Sequence, residues 1–425
     1  MDRISGLPDG IMIAILCFLD TKTAVRTSVL SKRWKLVWTS LPVLDFKNVA
    51  SYSGFPNSQM KFIFFVRHVL ARRCNSQLVK LRLSVYDMVY SSFSKECMTY
   101  AADHRVKNLI ISAFTTNNPV FIPTCLLSSQ FLEVLELNCA IRNSIALPKS
   151  WTFANLKYLK LKNFVFSDDN FDDGKIFSGC PKLESVILCK CAIRGKGKLK
   201  ELEMKCLELK NLEILYWRSP LSCYEIHRIN VIAPKLSSFV FKGHVAKVCF
   251  KEDLGCLDRV CIDLRYPKWN SAEDRKRWTG ECFMTMLGQF CSARFLSLSI
   301  DTIEALSAIS GIREYVTFGN LRHIKFITED RSSSVTMPIN AVADILKRTA
   351  DGYLVFNASE DNKLSTRGES SHSDGRKVKK DSNIIDVPIH LMSYLLEIAP
   401  RAESLTVEFT KESFECVGVR SHGEE

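Results

Sequence analysis

The sequence has none of the short motifs that mark common catalytic and cofactor sites. It contains no GxSxG nucleophile turn, no HExxH zinc motif and no GxxxxGK[ST] phosphate loop. The acidic stretch at residues 168–173 lacks the ligand spacing of a calcium loop. We therefore expect a protein that is not an enzyme, with no catalytic residues, no cofactor and no metal site.

Cysteine is abundant but not arranged for metal binding. The 16 cysteines include no CxxC pair, and the 8 histidines are dispersed along the chain. Scattered cysteines of this kind are typical of reduced thiols, so we predict a location in the cytoplasm and/or the nucleus. No apolar run reaches the length of a membrane span, which argues against a membrane partner.

The charge of the chain does not point to a specific class of partner. The formal net charge of +12 arises from 58 basic and 46 acidic residues, without a dominant basic cluster. No platform of basic and aromatic residues is visible, so nucleic acid is an unlikely partner. With 46% apolar and 24% charged residues, the chain has the composition of a folded protein. Its 425 residues are enough for one small and one extended domain.

Residues 7–41 are dense in apolar side chains with helical spacing. The pattern predicts three short helices, the first capped by Asp9, the second by Thr21 or Thr23, and the third by Ser31. Three helices of this length cannot bury all their apolar surface among themselves. The surplus must pack against the rest of the chain or against another protein.

This stretch resembles a plant F-box. The resemblance rests on LPD at residues 7–9, SVLSKRW at residues 28–34, Trp38, and the Asp-Phe pair at residues 45–46. Gly10 departs from the family pattern, which usually has an acidic residue there. The resemblance implies docking onto a Skp-type adaptor and, through it, onto a cullin. The candidate adaptor-binding residues are Leu7, Pro8, Ile15, Leu16, Leu19, Val29, Leu30, Trp34 and Trp38.

A repeated pattern of apolar positions 1, 4 and 6 begins at residue 78. Several intervals between copies are 24 to 28 residues, which is typical of leucine-rich repeats. Copies at residues 199 and 212 lie too close together for both to be true repeats. The copies begin at residues 78, 106, 132, 156, 183, 199, 212, 236, 257, 295, 321 and 402. Stacked repeats predict a solenoid with a curved parallel sheet, and GCPKLESVIL and APKLSSFVF resemble plant F-box proteins with leucine-rich repeats.

Positions 3, 5 and 7 of each repeat should point away from the core and line an exposed sheet face. On this face an aromatic and an arginine at residues 216 and 218 have the composition of an interface hot spot. The candidate target-binding residues are Tyr158, Lys160, Tyr216 and Arg218.

The predicted fold class is therefore α/β, with a three-helix F-box followed by a leucine-rich-repeat solenoid. Aliphatic residues almost vanish from 359 to 386, which predicts a disordered loop. The predicted divisions are an F-box at 1–46, a helical linker at 47–77, the solenoid at 78–358, the loop at 359–386, a final helix–strand repeat at 387–415, and a tail at 416–425.

Two functional hypotheses follow. In the first, which the resemblance implies, the protein is the substrate-recruiting F-box subunit of a Skp/cullin/F-box ubiquitin ligase, and its repeats bind a protein target. In the alternative, the protein is a leucine-rich-repeat interaction scaffold with no ubiquitin role, and its N-terminal helices only cap the solenoid. The two differ in whether the helices keep an apolar face free.

Overall fold

The computed structural model of the chain divides into two compact units, Met1–Cys256 and Leu257–Glu425. Strands and helices are numbered in chain order. The structure describes residues 6–48, 56–74, 76–88, 91–114, 122–139, 151–167, 175–194, 201–217, 228–244, 247–265, 286–299, 302, 318–328, 333–348, 353–357, 364–367 and 384–409.

The first unit begins with three short helices, as the apolar spacing predicts. These are α1 (Asp9–Leu16), α2 (Thr21–Arg26) and α3 (Trp34–Val37), and 3-10 turns follow α2 at Thr27–Val29 and α3 at Trp38–Ser40. Their shared core contains Met12, Leu16, Ala24, Trp34 and Trp38, all buried.

The ends of these helices differ from the predicted caps. Asp9 is the first residue inside α1, and the flanking residue is Pro8. The second helix is capped by Asp20, whose carboxylate accepts a hydrogen bond from the backbone N–H of Thr23 at 2.9 Å. The carboxylate is a strong acceptor at this position, which explains why Asp20 caps the helix instead of Thr21 or Thr23. The backbone N–H of Trp34 donates to Ser31 Oγ at 3.4 Å, near its predicted capping role.

A parallel sheet forms the main part of the first unit. Neighbouring strands pair in register from one repeat to the next, in agreement with a leucine-rich-repeat region. In pairing order the strands are β1 (Val43–Asn48), β2 (Lys80–Met88), β3 (Asn108–Phe114), β4 (Val134–Cys139), β5 (Tyr158–Lys162), β8 (Ser185–Cys189), β11 (Asn211–Trp217) and β13 (Ser238–His244).

The apolar positions of most predicted repeats lie in the core. The copies that begin at residues 78, 106, 132, 156, 183 and 236 have all three apolar side chains buried. The helices α4 (Pro56–Arg72), α5 (Ser91–Asp103) and α6 (Thr124–Leu127) connect the early strands. Among the described residues, no helix is both long and apolar enough to cross a membrane.

The prediction for residues 199–205 as a copy on the main sheet is wrong. Leu202 and Met204 are buried, but their strand belongs to a second, four-stranded sheet. The second sheet pairs in the order β14 (Lys247–Phe250), β12 (Arg228–Ile232), β10 (Glu201–Lys205) and β7 (Lys175–Ile176). A further pair joins β6 (Val165–Ser167) to β9 (Ala192–Arg194).

The copy predicted to begin at residue 212 is out of register by three residues. Leu209, Leu212 and Ile214 are all fully buried, and Leu212 pairs with Val186 of β8. The true repeat therefore begins at Leu209. Both patterns fit the same apolar stretch, and only pairing with the neighbouring strands distinguishes them. With its start at Leu209, this repeat is regularly spaced from the repeats that begin at residues 183 and 236.

The second unit contains parallel strands of the same repeat pattern and also antiparallel strand pairs. Strands β15 (Arg259–Arg265), β16 (Phe295–Ser299), β17 (His323–Thr328) and β22 (Ser404–Phe409) are parallel, and β18 (Ser333–Pro338) pairs antiparallel with β22. A 3-10 turn, Gly288–Phe290, lies before β16. The copy predicted at residue 295 is also displaced, because Leu296 and Leu298 are buried and pair with the buried residues of β15.

This unit also contains two strand–helix–strand segments. The first is β18, α7 (Ile339–Leu346) and β19 (Tyr353–Asn357), and the second is β21 (Ile384–Pro388), α8 (Ile389–Ile398) and β22. Each strand of one segment pairs antiparallel with a strand of the other. A proline ends each first strand, and an isoleucine begins each helix.

The predicted disordered loop at 359–386 is interrupted by strand structure. Strand β20 (Leu364–Arg367) and the start of β21 both pair with β19 in a three-stranded antiparallel sheet. The polar residues around them concealed these strands, which are short and are identified by their backbone pairing with β19. The remaining residues of the predicted loop and those of the predicted tail lie outside the described part of the chain.

Candidate functional site

The three-helix region exposes several large apolar side chains. Phe18 is 91% exposed, Val29 85%, Leu36 67% and Leu30 65%. Such exposure at this density is unusual for a folded surface and indicates an interaction site. We call the following residues the exposed apolar set: Ile11, Ile15, Phe18, Leu19, Val29, Leu30 and Leu36.

The structure divides the predicted adaptor-binding residues into two groups. Ile15, Leu19, Val29 and Leu30 belong to the exposed apolar set, Pro8 is exposed, and Leu7 is half-buried. Leu16, Trp34 and Trp38 are buried in the core of the three helices instead. These three side chains can support the surface but are not available to contact a partner in this conformation.

Sequence reasoning missed Ile11, Phe18 and Leu36 as surface residues. Helix α1 has two adjacent apolar stripes, and the one containing Met12 and Leu16 faces the core. Ile11, Ile15 and Phe18 follow the spacing i, i+4 and i+7, which also defines one side of a helix. The helical period alone does not say which of two adjacent stripes is buried, so the signal was present but ambiguous.

An exposed ion pair links the start of α1 to the residue before α3. Arg33 Nη2 lies 2.7 Å from Asp9 Oδ1, and Arg33 Nε donates to the same oxygen at 3.2 Å. Both residues belong to the motifs that carry the F-box resemblance. Their pairing connects the two helices that display Ile15 and Leu36.

The three-helix region is also attached to the sheet. The backbone N–H of Asp45 in β1 donates to Thr21 Oγ1 at 2.7 Å. Arg73, just after α4, donates to the carbonyl oxygen of Leu41 at 2.9 Å, and the backbone N–H of Cys74 donates to that of Thr39 at 3.1 Å. The exposed apolar set is therefore held in a fixed position relative to the first strands.

The predicted target-binding residues Tyr158 and Lys160 lie on the solvent side of β5. Burial alternates along this strand, and Lys160 is in register with Glu136 of β4. Burial raises the pKa of Tyr158, and the carboxylates of Glu136 and Glu213 raise it further. This part of the sheet face therefore carries both acidic and basic side chains.

Tyr216 occupies a different place from Tyr158. It lies at an irregularity near the end of β11, with a left-handed backbone (φ 53°), and its side chain is half-buried. Ile214, which was expected on the same face, is in the core. Arg218 lies outside the described residues, so its predicted pairing with Tyr216 stays a prediction. The three described candidates do not share one row of the sheet face, because Tyr216 lies farther along its strand than Tyr158 and Lys160.

Comparisons with known proteins agree with this arrangement. The family profile of the F-box domain matches residues 4–46. A second profile, described as the LRR repeats of FBD-associated F-box protein At5g56370, matches residues 95–209. The first match covers the three helices and most of β1, and the second covers strands of the main sheet.

Relatives of similar organisation occur in Arabidopsis thaliana. F-box/FBD/LRR-repeat protein At2g26030 is 26% identical over 338 residues, which are 76% of this chain and 73% of that protein. F-box/FBD/LRR-repeat protein At5g53840 is 30% identical over 67% of this chain and 60% of its own length. Putative F-box/LRR-repeat protein At4g15060 is 31% identical over 44% of each chain. The chain thus has an N-terminal F-box domain followed by a leucine-rich-repeat region, and it is similar to plant F-box/FBD/LRR-repeat proteins.

Proposed function

We propose that this protein is the substrate-recruiting subunit of a Skp/cullin/F-box ubiquitin ligase. In this proposal the F-box binds a Skp-type adaptor and, through it, a cullin, while the repeats bind a protein target. The protein itself carries out no chemistry. It raises the effective concentration of target lysines near the ubiquitin-charged enzyme. Such a role fits a location in the cytoplasm or the nucleus.

The exposed apolar set is the observation that carries this proposal. An apolar side chain such as Phe18 gains roughly 1.5–3 kcal/mol when it is transferred from water to a buried interface. Several such residues, on helices held together by their buried core and connected by the Asp9–Arg33 ion pair, provide the hydrophobic centre that a stable interface needs. The F-box match covers all seven residues of the set.

The polar sheet face supports the second half of the proposal. Short parallel strands present registered rows of side chains over several repeats, which suits recognition of a protein surface. The main sheet and the F-box belong to the same compact unit. A target held on this face would therefore be presented at a fixed distance from the adaptor.

Co-purification of the full chain with a recombinant Skp-type adaptor tests the proposal. We expect wild type to bind, and Val29→Glu and Leu30→Glu to lose binding, because each places a charge in the hydrophobic interface. Leu207→Glu is the matched control, since Leu207 is 50% exposed outside the F-box. Leu16 is unsuitable for this test because its side chain is buried and a charge there would disturb folding.

The outcome distinguishes the ligase subunit from the scaffold alternative. Folded wild-type protein that does not bind the adaptor would contradict the proposal and favour a scaffold without a ubiquitin role. Deletion of residues 1–46 does not separate the two, because it removes most of β1 together with the F-box. Circular dichroism and thermal melting of each variant establish that loss of binding is not loss of folding.

A further inference from the structure

One side of helix α4 exposes two large apolar side chains. Phe64 is 59% exposed and Met60 is 41% exposed, and their spacing of four residues places them next to each other on the helix. Ile63, Val66 and Val69 are buried on the other side. Phe64 lies about 160° from Val66 around the helix axis, where a surface helix usually carries a polar residue. The position of Phe64 is therefore not explained by packing of the core.

The neighbouring helix α5 has the usual polar outer side. Within the described residues of α5, no large apolar side chain is exposed. The exposed residues of this helix are Ser92, Lys95, Glu96 and Asp103. Both helices connect successive strands of the same sheet, so the comparison indicates that a helix at this place in a repeat does not need an apolar outer side in order to fold.

Helix α4 is held in place by contacts on its other sides. The ring of Phe65 packs edge-on against Phe46 of β1, with the ring centroids 6.1 Å apart. Arg67 Nη2 lies 2.9 Å from Glu96 Oε2 of α5. The hydroxyl group of Tyr100 in α5 donates to a backbone carbonyl near the end of α4 at 3.3 Å. These contacts do not involve the two exposed apolar side chains, which are therefore displayed on a helix of fixed orientation.

Basic side chains surround the exposed apolar pair. Lys61, His68 and Arg72 are exposed, and all three lie within about 80° of Phe64 around the helix axis. The helix contains no acidic residue. Within the part of the chain that the structure describes, neither Lys61 nor Arg72 has a carboxylate partner. We call Met60, Lys61, Phe64, His68 and Arg72 the α4 outer face, which combines an apolar centre with a positively charged border.

We propose that the α4 outer face is a docking site for a partner protein, and that it binds a segment in which a large apolar side chain lies among acidic residues. Phe64 and Met60 cover the apolar side chain, while Lys61 and Arg72 pair with the carboxylates beside it. The face has too few basic residues for an anionic membrane, whose recognition usually takes clusters of roughly 4–8 lysines and arginines.

This site is separate from the surfaces of the proposed ligase role. None of its residues belongs to the exposed apolar set. Helix α4 packs against Phe46, on the buried side of the main sheet. The register of β1 to β5 places Lys160 in the row of Asp45, whose side chain points to the opposite side of the sheet from Phe46. A partner on α4 therefore leaves the candidate target-binding face accessible.

A phage-displayed library of random 12-residue peptides, selected on the full-length protein, tests this proposal. We expect peptides that bind wild type but not Phe64→Ala, and we expect them to combine Asp or Glu with a large apolar residue. Synthetic copies should bind Phe64→Ala roughly tenfold more weakly, as for an interface hot spot. The double variant Lys61→Glu, Arg72→Glu should also bind them more weakly, with the larger loss at low salt. The matched controls are Leu207→Ala and the double variant Lys95→Glu, Lys205→Glu, which change exposed residues elsewhere.

Thermal melting separates a binding role of Phe64 from a structural one. Phe64→Ala should melt at the wild-type temperature, whereas Val66→Ala should melt lower because Val66 is fully buried. Equal losses in the two variants would assign the ring to the fold and overturn the proposal.

Three binding results would also overturn it. The first is the absence of peptides that depend on Phe64, and the second is dependent peptides without acidic enrichment. The third is Phe64-dependent retention on vesicles of phosphatidylcholine and phosphatidylserine, which would assign the face to a membrane. Adaptor co-purification of Phe64→Ala should remain at the wild-type level, and its loss would make the face part of the adaptor interface instead of a separate site.

Discussion

The backbone N–H of Asp45 is bound by the hydroxyl oxygen of Thr21 at 2.7 Å, and this contact joins the F-box to the edge of the sheet. Among the described strands, β1 comes first in the pairing order and pairs with a strand, β2, on one side only. Helix α2 covers the other side, and Thr21 is 1% exposed. An uncovered strand edge invites unwanted pairing with other chains. The F-box therefore protects the sheet while it displays the exposed apolar set elsewhere.

Replacement of Thr21 tests this attachment. Thr21→Val should lower the free energy of unfolding by about 1–3 kcal/mol, because it leaves a buried N–H without an acceptor. Thr21→Ser keeps the hydroxyl and should cost only about 0.8 kcal/mol for the lost methyl group. Urea unfolding followed by tryptophan fluorescence measures both, and equal losses in the two variants would show that the hydrogen bond is unimportant.

Gly10 is a second position where a substitution should change the stability of the fold in a known direction. It lies in the first turn of α1, and an added Cβ would meet no atom within 4 Å. Gly10→Ala should raise the free energy of unfolding by about 0.5–1 kcal/mol, because it removes the entropy cost of glycine in a helix. Gly179→Ala is the contrasting control, since its Cβ would collide with the backbone carbonyl of Trp151. A destabilising Gly10→Ala would mean that the helix begins later than α1 does.

The ladder of ion pairs at the amino ends of the strands predicts a dependence on salt. Glu133→Lys places three lysines side by side, so we expect a lower melting temperature that recovers in 1 M NaCl. Glu252→Lys, at an exposed position outside the described ion pairs, makes the same charge change and should have little effect. A loss that persists in high salt would indicate a packing defect rather than electrostatic repulsion.

The same ladder predicts a dependence on pH. The hydrogen bond from Lys157 lowers the pKa of Glu133, and the hydrogen bond from Lys210 lowers that of Glu184. A carboxylate whose pKa is lower in the folded state stabilises the fold at neutral pH. This contribution is lost as the pH falls from the ordinary carboxylate pKa through the lowered value. The melting temperatures of wild type and Glu133→Gln should therefore converge in acid.

Much of the fold could be predicted because its local signals agree with each other. The three helices follow from apolar spacing, and the strands at 78, 156 and 236 follow from one leucine pattern, as their buried side chains confirm. The repeat at 209 could not be separated from its overlapping copy at 212, because Leu212 fits both patterns and only pairing with β8 selects one. The curvature of the sheet stays a prediction.

The candidate site was predicted less completely. The resemblance indicated the correct helices, but it did not separate core residues such as Trp34 from surface residues such as Phe18, because both are large and apolar. On the sheet face, the left-handed backbone of Lys190 gave no signal in the sequence, since it depends on hydrogen bonds between repeats. Register and backbone conformation are tertiary properties, and they decide which polar residues lie together.

Hydrogen exchange of the full chain, with and without a Skp-type adaptor, tests the central claim most directly. The account predicts slower amide exchange in α1 and in residues 27–37 when the adaptor is added, because the exposed apolar set becomes covered. Strands β8 and β11 should exchange at the same rate in both samples. Unchanged exchange throughout residues 9–37 at saturating adaptor would contradict the claim that these helices are an adaptor-binding surface.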